Sequence, residues 1–287
     1  MIRLHLAGVV LASFSFVSAA AAAGDPTRGE YVARLGGCHS CHTDPKKKDA
    51  PLAGGLELTS PFGTFYVPNI TPDPETGIGR WSNSDFIRAM TDGVAPDGRH
   101  YYPAFPFTSY TRMTQKDLLD LKAYLDTVRP VHKVVSSHNL RFPYNFRFAL
   151  GVWKWLFFRP GPFKPDAAKS ASWNRGAYLV TGPGHCGECH TAQNFLGATS
   201  QNHALAGAKN GPDGRRVPNI TSHRSDGIGL WSAEDIVDFL KTGKLPYGET
   251  VESPMEDVIT DNTSHWTEVD LKSTAEYLLS LPERKTP

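Results

Sequence analysis

Two stretches decide the fold: Cys38-His39-Ser40-Cys41-His42 and Cys186-Gly187-Glu188-Cys189-His190. Each is C-x-x-C-H, the spacing of covalent c-type haem attachment. Two thiols three residues apart on one helical turn can each add to a haem vinyl group. The histidine that follows then lies under the iron. A lone match could belong to a redox pair or half a zinc site, but all four cysteines of the chain fall in these two full motifs. The motifs therefore predict Cys38, Cys41, Cys186 and Cys189 as thioether carriers, His42 and His190 as axial iron ligands, and two haem c groups per chain. No cysteine remains for a disulfide or a nucleophile.

Working outward, the flanking sequence repeats. Val67-Pro68-Asn69-Ile70-Thr71 recurs 150 residues later as Val217-Pro218-Asn219-Ile220-Thr221. Gly77-Ile78-Gly79-Arg80-Trp81-Ser82 recurs as Gly227-Ile228-Gly229-Leu230-Trp231-Ser232. Towards the end of each copy the offset becomes 153, where Thr114-x-x-Asp117 matches Thr267-x-x-Asp270. Arg28-Gly29-Glu30-Tyr31-Val32 matches Arg175-Gly176-Ala177-Tyr178-Leu179. Such self-similarity marks one unit used twice. Each copy is expected to be all-α. Asp25 before Pro26 opens a first helix. Ser82-x-x-Asp85 and Ser232-x-x-Asp235 are capping boxes for a middle helix that Gly93 and Gly243 end. Thr114 and Thr267 cap a last helix carrying Leu118, Leu121, Leu125 and Leu271, Ala275, Leu278 on one face. The expected architecture is thus two tandem domains from an internal duplication, residues 24–129 and 173–287, joined by a connecting segment, 130–172.

The second axial ligand must come from the loop before the last helix. In the second copy Met255 lies there, flanked by Pro254 and Glu256, and is the only methionine of that half. A thioether ligand raises a haem's potential. The first copy differs: 150 residues before Met255 stands Phe105, in Tyr102-Pro103-Ala104-Phe105-Pro106, which cannot ligate iron. Met113, just before the cap Thr114, is the favoured candidate; His100 is the alternative, and an open iron the remainder. Met90 lies on the middle helix and is assigned to the core. Trp81 and Trp231, with Arg80, are candidates either for haem propionates or for plain packing. His39, His185, His203, His223 and His265 show no metal spacing and are expected at the surface or behind the ligands. A ligating His donates its other ring N–H to a carbonyl or carboxylate, and Pro68 and Pro218 are placed to accept it. Their tract resembles the G-P-N-L tract of class I cytochromes c, in which the proline carbonyl has this role.

The remaining sequence bounds the setting. Residues 1–23 combine Arg3, an apolar run from Leu6 to Val17 and an alanine-rich end at Ala23, which predicts a secretory signal peptide. The segment 130–172 carries Arg141, Arg147, Lys154, Arg159 and Lys164 against one acid, Asp166, together with eight Phe, Tyr and Trp residues between Phe142 and Phe158. It is expected either to strap the two copies or to dock a catalytic subunit or a membrane surface. Lys+Arg is 30 and Asp+Glu 29, so the net charge is +1 and a nucleic-acid partner is not expected. At 40% apolar and 21% charged, the chain is not disordered.

Taken together, R-G-x-Y-L/V, C-x-x-C-H-T, P-N-I-T, G-I-G-x-W-S, the Y-P-A-x-P tract and a terminal Y-L-x-S-L-P resemble the multihaem cytochrome c subunits of bacterial periplasmic alcohol, gluconate, fructose and aldehyde dehydrogenases. The resemblance covers nearly all of the chain beyond residue 23. It implies electron transfer in the periplasm, from a dehydrogenase catalytic subunit to a respiratory acceptor, quinone or oxidase, with peripheral membrane association through a partner. Many members carry three haems and a methionine in the Y-P-A-M-P position; this chain has two motifs and Phe105. The alternative is a dihaem enzyme of peroxidase or thiosulfate-oxidising type using an open haem in the first domain.

Overall fold

The structure is a computed structural model that describes residues 24–211, 214–252 and 254–287. The signal-peptide expectation for residues 1–23 lies outside these. The first half contains α1 (Pro26–Leu35), the short turn α2 (Cys38–His42), α3 (Asn83–Asp92), the single turn α4 (Phe107–Tyr110) and α5 (Gln115–Leu125). The connecting segment contributes α6 (Ala149–Phe157). The second half contains α7 (Ala171–Thr181), the turn α8 (Gly187–His190), α9 (Ala233–Thr242), α10 (Met255–Asp261) and α11 (Glu268–Leu279).

The caps form where side-chain chemistry dictates. Asp25 accepts the N–H groups of Thr27 and Arg28, with Pro26 at the first helical position. Ser82 and Ser232 make reciprocal capping boxes with Asp85 and Asp235, and Gly93 and Gly243 end α3 and α9 in the left-handed conformation. Thr114 and Thr267 accept the N–H of Asp117 and Asp270 to open α5 and α11. In each half the first helix packs on the last, α1 on α5 and α7 on α11. The glycine of each R-G-x-Y motif permits this: a Cβ on Gly29 would run into the Asp120 carbonyl, and one on Gly176 into that of Ser273. The leucine faces of α5 and α11 are buried there, with Leu118, Leu121 and Leu271 at 2% exposure or less. Each contributes on the order of 2 kcal/mol of apolar transfer.

The all-α expectation is corrected at one place. Strands β1 (Glu57–Ser60) and β2 (Gly63–Tyr66) form an antiparallel hairpin pairing Leu58 with Phe65, and β3 (Asn139–Leu140) adds to β2. Gly63, at φ 123, lets the two-residue turn Pro61-Phe62 close. Thr59 and Thr64, β-branched, face each other across the hairpin. Four-residue strands are too short to show a sequence period, and β3 comes from the connecting segment.

That segment touches both halves. Lys154 Nζ donates to the carbonyls of Asp92 and Gly93 at the end of α3, and Trp153 Nε1 donates to the Leu196 carbonyl of the second half at 2.9 Å. Phe163 stacks edge-on against Tyr178. The outer face of α6 has no cover: Phe148 and Trp155 are 80% and 77% exposed, next to exposed Val152 and Leu156. Among the described residues, no helix is long and apolar enough to cross a membrane.

The halves are tied by crossed bonds. Tyr31 on α1 donates its hydroxyl to Asp270 on α11 at 2.7 Å, and Tyr178 on α7 donates to Asp117 on α5. Arg175 pairs with Asp270, and Arg28 with both Asp117 and Asp120. Leu35 of α1 belongs to the apolar cluster of the second half.

Candidate functional site

Each C-x-x-C-H motif lies on a short helical turn that follows the first helix of its half, after two residues in the first half and five in the second. That turn brings Cys38 and Cys41 to one side, and Cys186 and Cys189 likewise. Cys38, Cys41 and Cys186 form no disulfide. Burial pushes the Cys38 and Cys186 thiols up to about 12, so both stay protonated. His42 Nδ1 lies 2.8 Å from the Pro68 carbonyl, and His190 Nδ1 lies 2.8 Å from that of Pro218. The carbonyl accepts the Nδ1 proton and leaves the Nε2 lone pair for a metal. Burial lowers His42 to about 4, against the pull of the Pro68 carbonyl, and lowers His190 in the same way. Both imidazoles are therefore neutral at pH 7, the form that ligates iron.

The proline tracts are themselves clamped. Asn69 Oδ1 accepts from the Thr71 amide, and its Nδ2 donates to the Val131 carbonyl beyond α5 at 2.7 Å. Asn219 does the same, accepting from Thr221 and donating to the Arg284 carbonyl beyond α11 at 2.7 Å. A second brace comes from Leu52-Ala53-Gly54 and Leu205-Ala206-Gly207. The amide of Gly54 donates to the His42 carbonyl and that of Gly207 to the His190 carbonyl. Thr43 and Thr191, directly after the histidines, accept the amides of Leu52 and Leu205. Both leucines have φ 62, a left-handed backbone that costs an L-residue about 1–2 kcal/mol. These braces escaped the sequence reading, although the recurrence of Leu-Ala-Gly was visible in it.

Met113 is 2% exposed in the apolar cluster of the first half, against which Cys38, Trp81 and Phe105 pack. Met255 opens α10 and packs with Cys186 and Trp231 against the cluster of the second half. Phe105 is held edge-on between Tyr101 and Tyr110, at 5.4 and 5.7 Å. His100 turns to the connecting segment: its Nδ1 lies 3.0 Å from Lys154 Nζ, and its carbonyl accepts from Arg147. Met90 is buried on α3. Trp81 packs against the first cluster while Arg80 is exposed, and Trp231 meets Phe239 edge-on at 5.5 Å. His39 Nε2 lies 3.3 Å from the Tyr124 hydroxyl, and His223 Nδ1 accepts from the Asp226 amide.

The donor set fits a covalently held haem: thiols on one turn, then an imidazole whose Nδ1 is already engaged and whose Nε2 is free to bind. Comparison with known proteins agrees. The family model for cytochrome c matches residues 27–129. The chain is 43% identical over 268 residues to a dihaem cytochrome c-type protein of Cereibacter sphaeroides, covering 90% of this chain and 86% of that one. It is 40% identical over 290 residues to the cytochrome c subunit of a quinone-dependent alcohol dehydrogenase of Gluconobacter oxydans, and 39% over 260 residues to the fructose dehydrogenase cytochrome subunit of Gluconobacter japonicus. These alignments take in 96% and 90% of this chain but only 59% and 53% of the two subunits, so it spans little more than half their length. The chain belongs to the cytochrome c family, whose members carry covalently bound haem c.

Proposed function

We propose that this chain is a dihaem electron carrier of the periplasm, built as two cytochrome c units (24–129 and 173–287) from a duplication and joined by 130–172. The observation that carries this reading is the pair of C-x-x-C-H turns, each with its histidine Nδ1 on a prolyl carbonyl at 2.8 Å. Cys38 and Cys41 would hold one haem and Cys186 and Cys189 the other. His42 and His190 supply the imidazole ligands, with Met113 and Met255 as their sulfur partners. Bound haem supplies one-electron ferric–ferrous chemistry. The protein's part is to keep ligation the same in both oxidation states. The Pro68 and Pro218 carbonyls fix the imidazole tautomers, Asn69 and Asn219 immobilise those carbonyls, and Met113 is shut away from water at 2% exposure. A buried thioether favours the ferrous state.

Its relatives are cytochrome subunits of dehydrogenases, so the electron donor is read as a dehydrogenase catalytic subunit and the acceptor as quinone or a terminal oxidase. The exposed α6 face, with Phe148, Val152, Trp155 and Leu156, is the proposed dock for the catalytic subunit, since Trp, Phe and Arg are enriched at such interfaces. No observation favours the enzyme alternative.

The test is the haem content with optical and EPR spectra of the oxidised protein. Two haems per chain, both low-spin with a sulfur-to-iron band, are expected. A single haem, or one high-spin site with exchangeable water, overturns the reading.

A further inference from the structure

The residue before the first cysteine of each motif is left-handed in both halves: Gly37 at φ 61 and His185 at φ 38. Glycine takes that conformation freely, whereas in a side-chain residue it is strained. The two positions face each other. A Cβ on Gly37 would lie 3.8 Å from His185 Nε2, and 3.1 Å from Asn262 Nδ2 of the second half. The His185 ring thus lies within van der Waals reach of Gly37.

Its surroundings lead from one cysteine to the other. The ring meets Tyr110 edge-on at 5.6 Å. Tyr110 donates its hydroxyl to the Gly36 carbonyl at 2.7 Å, and a Cβ on Gly36 would lie 3.6 Å from Cys38 Sγ. On the other side His185 is bonded directly to Cys186. The contact is held shut beside it: Thr108 and Ser109 of α4 both donate to Glu188 of α8 at 2.6 Å, and α2 packs on α10.

We propose that His185 is the bridging residue for electron exchange between the two haem-bearing turns, its ring closing the gap between Gly36-Gly37-Cys38 and Cys186. Packed atoms carry electron tunnelling better than an equivalent void. With haem held by Cys38 and Cys41 and by Cys186 and Cys189, a single electron would pass from a ferrous to a ferric centre past the His185 ring, and no bond or proton would change hands. This rests on the two-haem reading above.

The experiment compares wild type, His185→Gly and His185→Phe as full, haem-loaded chains. Haem content and melting temperature are measured first, then the intramolecular exchange rate after photoreduction by less than one electron per chain. His185→Gly removes the ring and relieves the backbone. It is expected to keep two haems and to lose at most a few degrees of melting temperature, relief of the backbone offsetting part of the lost packing, while exchange slows by about tenfold or more. His185→Phe keeps a ring in place and is expected to stay within about threefold of wild type. Wild-type exchange in His185→Gly overturns the proposal, as does a loss in His185→Phe equal to that in His185→Gly. A rate loss matched by a large fall in melting temperature also overturns it, because the ring is then structural. Fewer than two haems in wild type overturns the two-haem reading itself, and the proposal with it.

Discussion

The two halves share a scaffold and differ at the position proposed for an iron's second ligand. In the second half Met255 opens a helix of its own, α10, at the edge of the apolar cluster. In the first, the matching position is Phe105, wedged between Tyr101 and Tyr110, and the candidate sulfur, Met113, lies deep in the cluster. What the halves share is the imidazole side: proline carbonyl, asparagine clamp and left-handed leucine recur bond for bond. Between the halves, then, the proposed sulfur side differs and the histidine side is kept.

The strongest way to break that comparison is at attachment. Cys41→Ala with Cys38→Ala is expected to leave one haem per chain by pyridine haemochrome assay, and the matching pair at Cys186 and Cys189 to do the same. Loss of both haems from either variant would show that the halves are not loaded independently. Next comes the sulfur side. Met255→Ala and Met113→Ala are each expected to remove half of the sulfur-to-iron band and to lower the potential of one haem only. If Met113→Ala leaves the band whole, the first half is not ligated by Met113.

The crossed tyrosines sharpen the comparison by stability. Tyr178→Phe strips a hydrogen bond from the buried Asp117 carboxylate and is expected to cost about 2 kcal/mol, a few degrees in melting temperature. Tyr31→Phe should cost less, about 1 kcal/mol, because Arg175 makes two bonds to Asp270 where Arg28 makes one to Asp117. Acid probes one further point of difference. Burial works to raise Asp120, but the Asp25 amide, Lys116 and Arg28 hold it down to about 2, below the ordinary 3.8. A carboxylate depressed on folding stabilises above its unfolded pKa, and that share is lost as pH falls from about 4 towards 2. The matching residue on α11 is Ser273, which has no charge to lose. Asp120→Ser is expected to flatten the acid limb of a melting-temperature profile; an unchanged limb would place the acid sensitivity elsewhere. The smallest effect on the fold belongs to α6. Trp155→Glu, at an exposed site, is expected to shift stability by under about 0.5 kcal/mol while abolishing co-purification with a dehydrogenase subunit. Retained co-purification alongside lost vesicle binding would assign that face to a membrane.

Much of this was legible in the sequence because it is local. Caps, C-cap glycines and the C-x-x-C-H turns depend on residues within four positions of each other, and all lie where the spacing places them. The Pro68 and Pro218 carbonyls were foreseen from the histidine's need for a partner. What escaped is what needs two distant segments to meet. Tyr31 and Tyr178 sit at matching motif positions, yet nothing along the chain says that each serves the other half's aspartate. The β1–β2 hairpin is too short to have a period. His185 reads in the sequence as one of several histidines at the surface or behind the ligands, because its left-handed backbone and its place over Gly37 exist only in three dimensions.

The crossed bonds also bear on how the chain is made. Synthesis proceeds from the N-terminus, and domains ordinarily fold as they emerge. Here the first half reaches completion with Leu35 still uncovered and Asp117 still lacking the phenol of Tyr178, both of which wait for residues made far later. The early half is a provisional structure that the late half ratifies. A fragment ending at residue 129 would carry a complete haem motif but would leave Leu35 and Asp117 without their partners from the second half.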